Sequence, residues 1–216
     1  KLEVDEVEPD LAQWREIVRQ MRAVDGTLRV GIVGKYVELH DAYMSVKEAL
    51  SHAAIAHNLQ VEVEWIHSGD LEKGRGWDEL RQVDAIVVPG GFGYRGVEGK
   101  ILAARYAREN NVPYLGLCLG MQTMCIEFAR NVLNYEDANS SEFESPSQHS
   151  IIDLMSDQRG ITDMGGTMRL GAYPCVLTSG SRTYMAYDGR EQISERHRHR
   201  FEFNNAYREQ FESNGA

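Results

Sequence analysis

Cys118 stands between Gly116 and Gly120, directly after the short apolar run Pro113–Leu117 and before a helix-like pattern. A thiol between two glycines at a strand-to-helix turn has the spacing of a nucleophile elbow in its cysteine form. The glycines let neighbouring backbone pass where a Cβ would clash. The helix after the turn points its N-terminus at the sulfur, and that partial positive charge favours thiolate. One stretch thus supplies an exposed nucleophile and part of its activation. With 20 Gly and 3 Cys in 216 residues, chance supplies roughly 0.03 such matches before a strand and a helix are also required.

A second stretch, Pro89-Gly90-Gly91-Phe92-Gly93-Tyr94-Arg95-Gly96, follows the apolar run Asp84–Val88. Glycine at this density offers bare backbone whose N–H groups can face a small ligand. In an open α/β sheet, ligands sit outside the carboxyl ends of the strands, and both stretches fall at such ends. Two sets of N–H groups converging beside the sulfur would form an oxyanion hole for acyl transfer. A phosphate loop is the rival reading. The spacing matches neither glycine-rich phosphate motif, and no suitable Lys follows.

A cysteine nucleophile needs a base, normally a His oriented by a carboxylate. The seven histidines are His40, His52, His57, His67, His149, His197 and His199. His52 and His57 fall on a helix as surface groups. Read as one strand, Arg196–Glu202 puts His197, His199 and Phe201 on one face and Arg196, Arg198, Arg200 and Glu202 on the other. That polar cluster suggests a ligand rim, but His199 and Glu202 make a poor dyad. The residues leave the base unidentified. No Cys or Asp stands beside the His pair at ligand spacing, so no metal site is expected. Cys125 and Cys175 read as packing groups.

Strand–helix alternation must position these residues. Leu28–Val33 is a near-continuous apolar run of the kind found in buried parallel strands. Asp41–Asn58 reads as a helix burying Tyr43, Val46, Ala49, Leu50 and Ala53. Val61–Ile66 alternates as a strand, Asp84–Val88 is a third strand, Lys100–Glu109 a helix, Pro113–Leu117 a fourth strand and Gly120–Arg130 its helix. The fold class that follows is α/β, an open, mostly parallel sheet with helices on both faces, flavodoxin-like. Beyond about Asn134 the pattern changes: Asn139–Gln148 is a polar loop, Met168–Leu177 and Arg196–Asn204 are strands, and Asn205–Phe211 is a short helix. Residues 1–26 read as an interdomain linker whose helix, capped by Asp10, carries Leu11, Trp14, Ile17, Val18 and Met21 on one stripe. Trp14 is expected to dock on the main domain or on another one. Residues 27–216 form the main domain.

The net charge of −10 argues against nucleic acid as a partner, which wants a basic face. No apolar stretch reaches membrane-spanning length, so no membrane contact is expected. An acidic N-terminus without a signal core and three cysteines point to a cytoplasmic location.

The elbow Gly116-Leu117-Cys118-Leu119-Gly120-Met121-Gln122, taken with Pro89–Gly93, resembles the class I, triad-type glutamine amidotransferases. Gly34–Leu50, Gly165–Gly171 and Glu195–Asn205 resemble the glutaminase domain of the CTP synthase family in particular. The resemblance runs from about residue 28 to the end, and the segment before it resembles that family's interdomain linker. It implies that Cys118 attacks the side-chain amide of L-glutamine, releasing ammonia through a γ-glutamyl thioester. Gly91 and Leu119 would offer N–H groups to the oxyanion, and Gly120 and Met121 on the same turn would also bind the L-glutamine. Phe92 would line the pocket. Gln122, Glu142 and Arg200 would hold the α-amino and α-carboxylate groups, a carboxylate suiting an ammonium and an Arg fork suiting a carboxylate. The family takes its base from a His-Pro-Glu motif near its C-terminus, which these 216 residues do not contain. The domain 27–216 is therefore expected to be C-terminally incomplete and weak or inactive alone. The resemblance places no cofactor in this domain. It implies an N-terminal amidoligase (synthetase) domain binding ATP, UTP and Mg²⁺, GTP as allosteric activator with Tyr94 and Arg95 as candidates, and a homotetramer for the full-length enzyme. Two other readings stand beside it, an elbow-Cys hydrolase or peptidase of similar fold and a catalytically silent regulatory domain.

Overall fold

The computed structural model describes residues 9–143, 148–158, 160 and 169–216. The acids of Lys1–Glu8, part of the loop expected over Asn139–Gln148, and most of Gly165–Gly171 lie outside the described residues. The chain divides into two units, Lys1–Glu127 and Phe128–Ala216.

The first unit opens with helix α1 (Ala12–Arg22). Asp10 Oδ1 accepts the Ala12 N–H at 2.9 Å, as an N-terminal cap should. Of the two docking places expected for its apolar stripe, the main domain does not cover it: Trp14 stays 67% exposed and Met21 53%. Then come β1 (Gly26–Gly34), a short 3-10 turn at His40–Tyr43, α2 (Met44–Ala56), β2 (Leu59–His67), two one-turn helices α3 (Ser68–Leu71) and α4 (Trp77–Leu80), β3 (Ala85–Val88), α5 (Val97–Asn110), β4 (Tyr114–Gly116) and α6 (Leu119–Asn131). The four strands form one sheet in the order β2-β1-β3-β4, and every pairing in it is parallel. This is the α/β sheet expected from the alternation.

Successive residues of β1 serve opposite faces. Val33 packs with Ile66, Leu71, Leu80, Val83, Ile86, Val88, Ala103 and Ala107. Ile32 packs with Val37 and Tyr43, flanked by Val46, Leu50, Val63 and Trp65. Helices therefore cover both sides. From the 3-10 turn into α2 the inward stripe is Tyr43, Val46, Leu50 and Ala54, while Ala49 and Ala53, expected to be buried, are exposed.

The second unit holds a three-stranded sheet in the order β5 (Asn139–Ser140), β6 (Ser150–Leu154), β9 (Phe201–Phe203) and a two-stranded antiparallel sheet of β7 (Arg169–Val176) and β8 (Gln192–Arg198). Helices α7 (Arg182–Ala186) and α8 (Arg208–Ser213) complete it. Phe211 packs against Phe128 and Phe203, with ring centroids 5.0 and 4.9 Å away. The segment Arg196–Glu202 is not one strand. It belongs to β8 up to Arg198 and to β9, in a different sheet, from Phe201, because β9 pairs with β6. Cys175, expected to pack, is exposed on β7. No helix among the described residues is long and apolar enough to cross a membrane.

Candidate functional site

Cys118 lies between the end of β4 and the start of α6, and it has φ +54°. That is the left-handed region, unusual for a side chain other than Gly, Asn or Asp. The turn is held from all sides. A Cβ on Gly116 would sit 2.5 Å from the backbone of Gly120 and Met121, and one on Gly120 would overlap the Val88 carbonyl oxygen. The Leu117 N–H donates to Val88 O at 2.9 Å. The Gly120 carbonyl accepts both the Tyr114 hydroxyl at 2.9 Å and the Thr123 hydroxyl at 3.0 Å. The thiol at the crest of this turn is exposed.

β3 and β4 are neighbours, so the glycine-rich loop after Val88 arrives beside the elbow. A Cβ on Gly90 would meet Cys118 Cβ at 3.3 Å and its Sγ at 3.8 Å. Bare backbone therefore lies directly against the Cys118 side chain. Leu119 is 2% exposed and is the first residue of α6, where the helix has no acceptor for its N–H. Gln122, one turn on, is 5% exposed, and Phe92 is 52% exposed on the loop. Met121 is half-buried, and Cys125 Sγ approaches its Sδ at 3.6 Å. Burial pushes the Cys125 thiol up to about 11, so it stays protonated and inert at neutral pH.

The glycine loop rests on two lysines. Lys100, fully buried on α5, donates to the Pro89 carbonyl at 3.1 Å. Lys35, 6% exposed after β1, donates to the Phe92 carbonyl. Neither was singled out from the residues alone. Lys100 did leave a signal, because it interrupts the apolar helical positions Val97, Ile101 and Ala104 on what must be an inward face.

A family model for "Glutamine amidotransferase class-I" matches residues 38–216. The chain belongs to the class-I glutamine amidotransferase family. CTP synthases are among its relatives in that family. The chain is 56% identical to the CTP synthase of Thermomicrobium roseum over 98% of its own length and 38% of that protein's. It is 58% identical to that of Carboxydothermus hydrogenoformans over 94% and 38%. Among solved structures it resembles the glutaminase domain of Trypanosoma brucei CTPS with bound acivicin, with TM-score 0.78 and 39% identity over 87% of this chain and 72% of that one. The chain thus spans somewhat over a third of the curated relatives it matches, and it is a glutaminase domain of the CTP synthase type.

Of the residues that the amidotransferase pattern singles out, Gly91, Phe92, Cys118, Leu119, Gly120, Met121 and Gln122 lie in the first unit. Glu142 follows β5 and Arg200 joins β8 to β9, both in the second unit. Tyr94 is 80% exposed, and the Arg95 guanidinium lies 5.6 Å from the Tyr36 ring centroid. Four of the histidines have ring or hydrogen-bond neighbours, while His67 Nδ1 is buried without a hydrogen-bond partner among the described residues. His40 stacks on Trp65 at 4.5 Å, His149 bonds Asp137 at 2.6 Å, and His197 Nδ1 lies 3.0 Å from His199 Nε2. The His149 hydrogen bond holds the Asp137 carboxyl below its ordinary value. No metal-binding cluster occurs among the described residues.

Proposed function

We propose that Cys118 is the nucleophile of a glutaminase that supplies ammonia to a synthetase domain aminating UTP. One observation carries the reading: an exposed thiol held at φ +54° on a strand-to-helix turn, with glycine backbone against its sulfur. The thiolate adds to the side-chain carbonyl of L-glutamine. The carbonyl oxygen becomes an oxyanion facing the Gly91 and Leu119 N–H groups, worth about 3 kcal/mol of barrier per donor. The C–N bond then breaks, the nitrogen takes a proton and leaves as ammonia, and water later cleaves the thioester to glutamate and free thiol. Phe92, Gly120 and Met121 shape the glutamine pocket beside the sulfur, and Gln122 binds the amino-acid end. Glu142 and Arg200 are assigned to the α-amino and α-carboxylate groups on the family pattern and their chemistry.

ATP, UTP and Mg²⁺ belong in this reading to the N-terminal amidoligase domain of a tetrameric enzyme, and GTP acts as its activator. The 216 residues contain no His-Pro-Glu, so hydrolysis by them alone is weak or absent.

The test is labelling by a glutamine analogue bearing an electrophile in place of its amide. We expect a single adduct on Cys118, none on Cys125 or Cys175, and protection by L-glutamine. A Cys118 that iodoacetamide modifies but the analogue does not would overturn glutamine as the ligand.

A further inference from the structure

Lys100 is the largest fully buried side chain among the described residues, and the acyl-transfer steps above make no use of it. A buried ammonium is costly unless something nearby needs its charge. Its bond goes to the Pro89 carbonyl, and Lys35 bonds the Phe92 carbonyl three residues later. These two carbonyls bracket Gly90 and Gly91, the part of the loop with the most backbone freedom. A Cβ on Gly91 would lie 3.7 Å from Lys100 Nζ and 3.6 Å from Lys35 Cε. Both lysines therefore reach the loop at the same point.

The Lys35 end is itself fixed. Tyr43 Oη accepts the Lys35 N–H at 3.2 Å and the Tyr36 N–H at 3.3 Å. It sits against Gly34, where a Cβ would come within 2.6 Å of it. In a trans peptide the C=O and N–H point in opposite directions. Holding the Pro89 and Phe92 oxygens on the lysine side thus turns the Gly90 and Gly93 N–H groups away from it and restricts the two peptides between them. Such charge-assisted bonds are the stronger kind.

We propose that Lys35 and Lys100 are positioning residues for Cys118: they clamp the carbonyls on either side of Gly90–Gly91, and their paired charge favours the thiolate and the oxyanion formed from it. Two cations on one loop repel unless an anion joins them. Burial and then the Lys35 charge bring Lys100 down to about 8, and the opposing influence is Cys118, which favours the ammonium. The attraction is mutual, so the same charge favours thiolate at Cys118. At pH 7 Lys100 is still mostly an ammonium.

The proposal rests on Cys118 as nucleophile but not on glutamine as substrate. Its test is therefore the pH profile of iodoacetamide modification of Cys118 in the 216-residue chain, read by peptide mass spectrometry with exposed Cys175 as internal standard. In Lys100→Met the Cys118 midpoint should rise by about one unit, slowing modification at pH 7 about tenfold, with Cys175 unchanged. Lys35→Met should slow it several-fold, and Lys35→Arg, which keeps the charge, should restore most of the rate. Should Lys100→Met fail to fold, the Lys35 pair decides. Folded lysine-to-methionine variants with an unmoved midpoint, or a Lys35→Arg as slow as Lys35→Met, would overturn the proposal.

Discussion

Cys118 must leave the favoured backbone regions to expose its sulfur, and the turn around it is built to keep it there. At φ +54° an L side chain costs about 1–2 kcal/mol relative to the right-handed region, while Gly carries no such cost. Two variants that both remove the thiol therefore separate. Cys118→Gly should unfold at a higher denaturant concentration than Cys118→Ala, by about 1 kcal/mol in chemical unfolding. Equal or reversed stabilities would mean that the left-handed turn is not strained. The spacing Gly116-x-Cys118-x-Gly120 made this residue legible before any fold was known, because few chemistries need a thiol between two glycines at a strand end. Lys35 and Lys100 were not legible in the same way. A lysine in a sequence reads as surface, and only the packing around α5 put one beneath the glycine loop.

The elbow is only as firm as α5 and α6, which carry Lys100 and the residues after Cys118. Arg108 on α5 meets Glu127 on α6 through Nε at 3.1 and 3.0 Å and Nη2 at 2.8 Å. The Glu127 side chain is 2% exposed. Removing the arginine takes the forked partner from a buried carboxylate, which is far more damaging than losing a surface pair. Arg108→Met should cost about 3 kcal/mol in urea unfolding, and adding Glu127→Gln should return a large part of it. A loss below about 1 kcal/mol would make the pair incidental. The expected helices and strands of the first unit appear within a few residues of their positions, since apolar periodicity marks a buried parallel sheet clearly. The short helices α3 and α4 were missed because four residues carry no period. The break at His199–Arg200 was missed because strand alternation looks the same on either side of a change of sheet.

For the molecule as a whole, the proposed reaction finds its nucleophile and backbone donors in the 216 residues but no His-Pro-Glu. A thiolate alone does not complete the reaction, since the leaving nitrogen needs a proton and the thioester an activated water. His67 ends β2, three strand positions from β4, hence about 14 Å away across the sheet. Glutamate release from L-glutamine by this chain should not exceed that of Cys118→Ala. Release that depends on Cys118 would place a base inside these residues, with His197 and His199 the first to substitute. The sequence by itself determined the parallel α/β class, the elbow turn around Cys118 and the glycine loop, because each depends on residues close together in the chain and on short-range sterics. Only the tertiary structure decided that Gly90 lies against the Cys118 side chain and that two lysines hold the loop from behind. Those contacts join residues as far apart as Lys35, Phe92 and Cys118, and long-range packing leaves no local pattern to read.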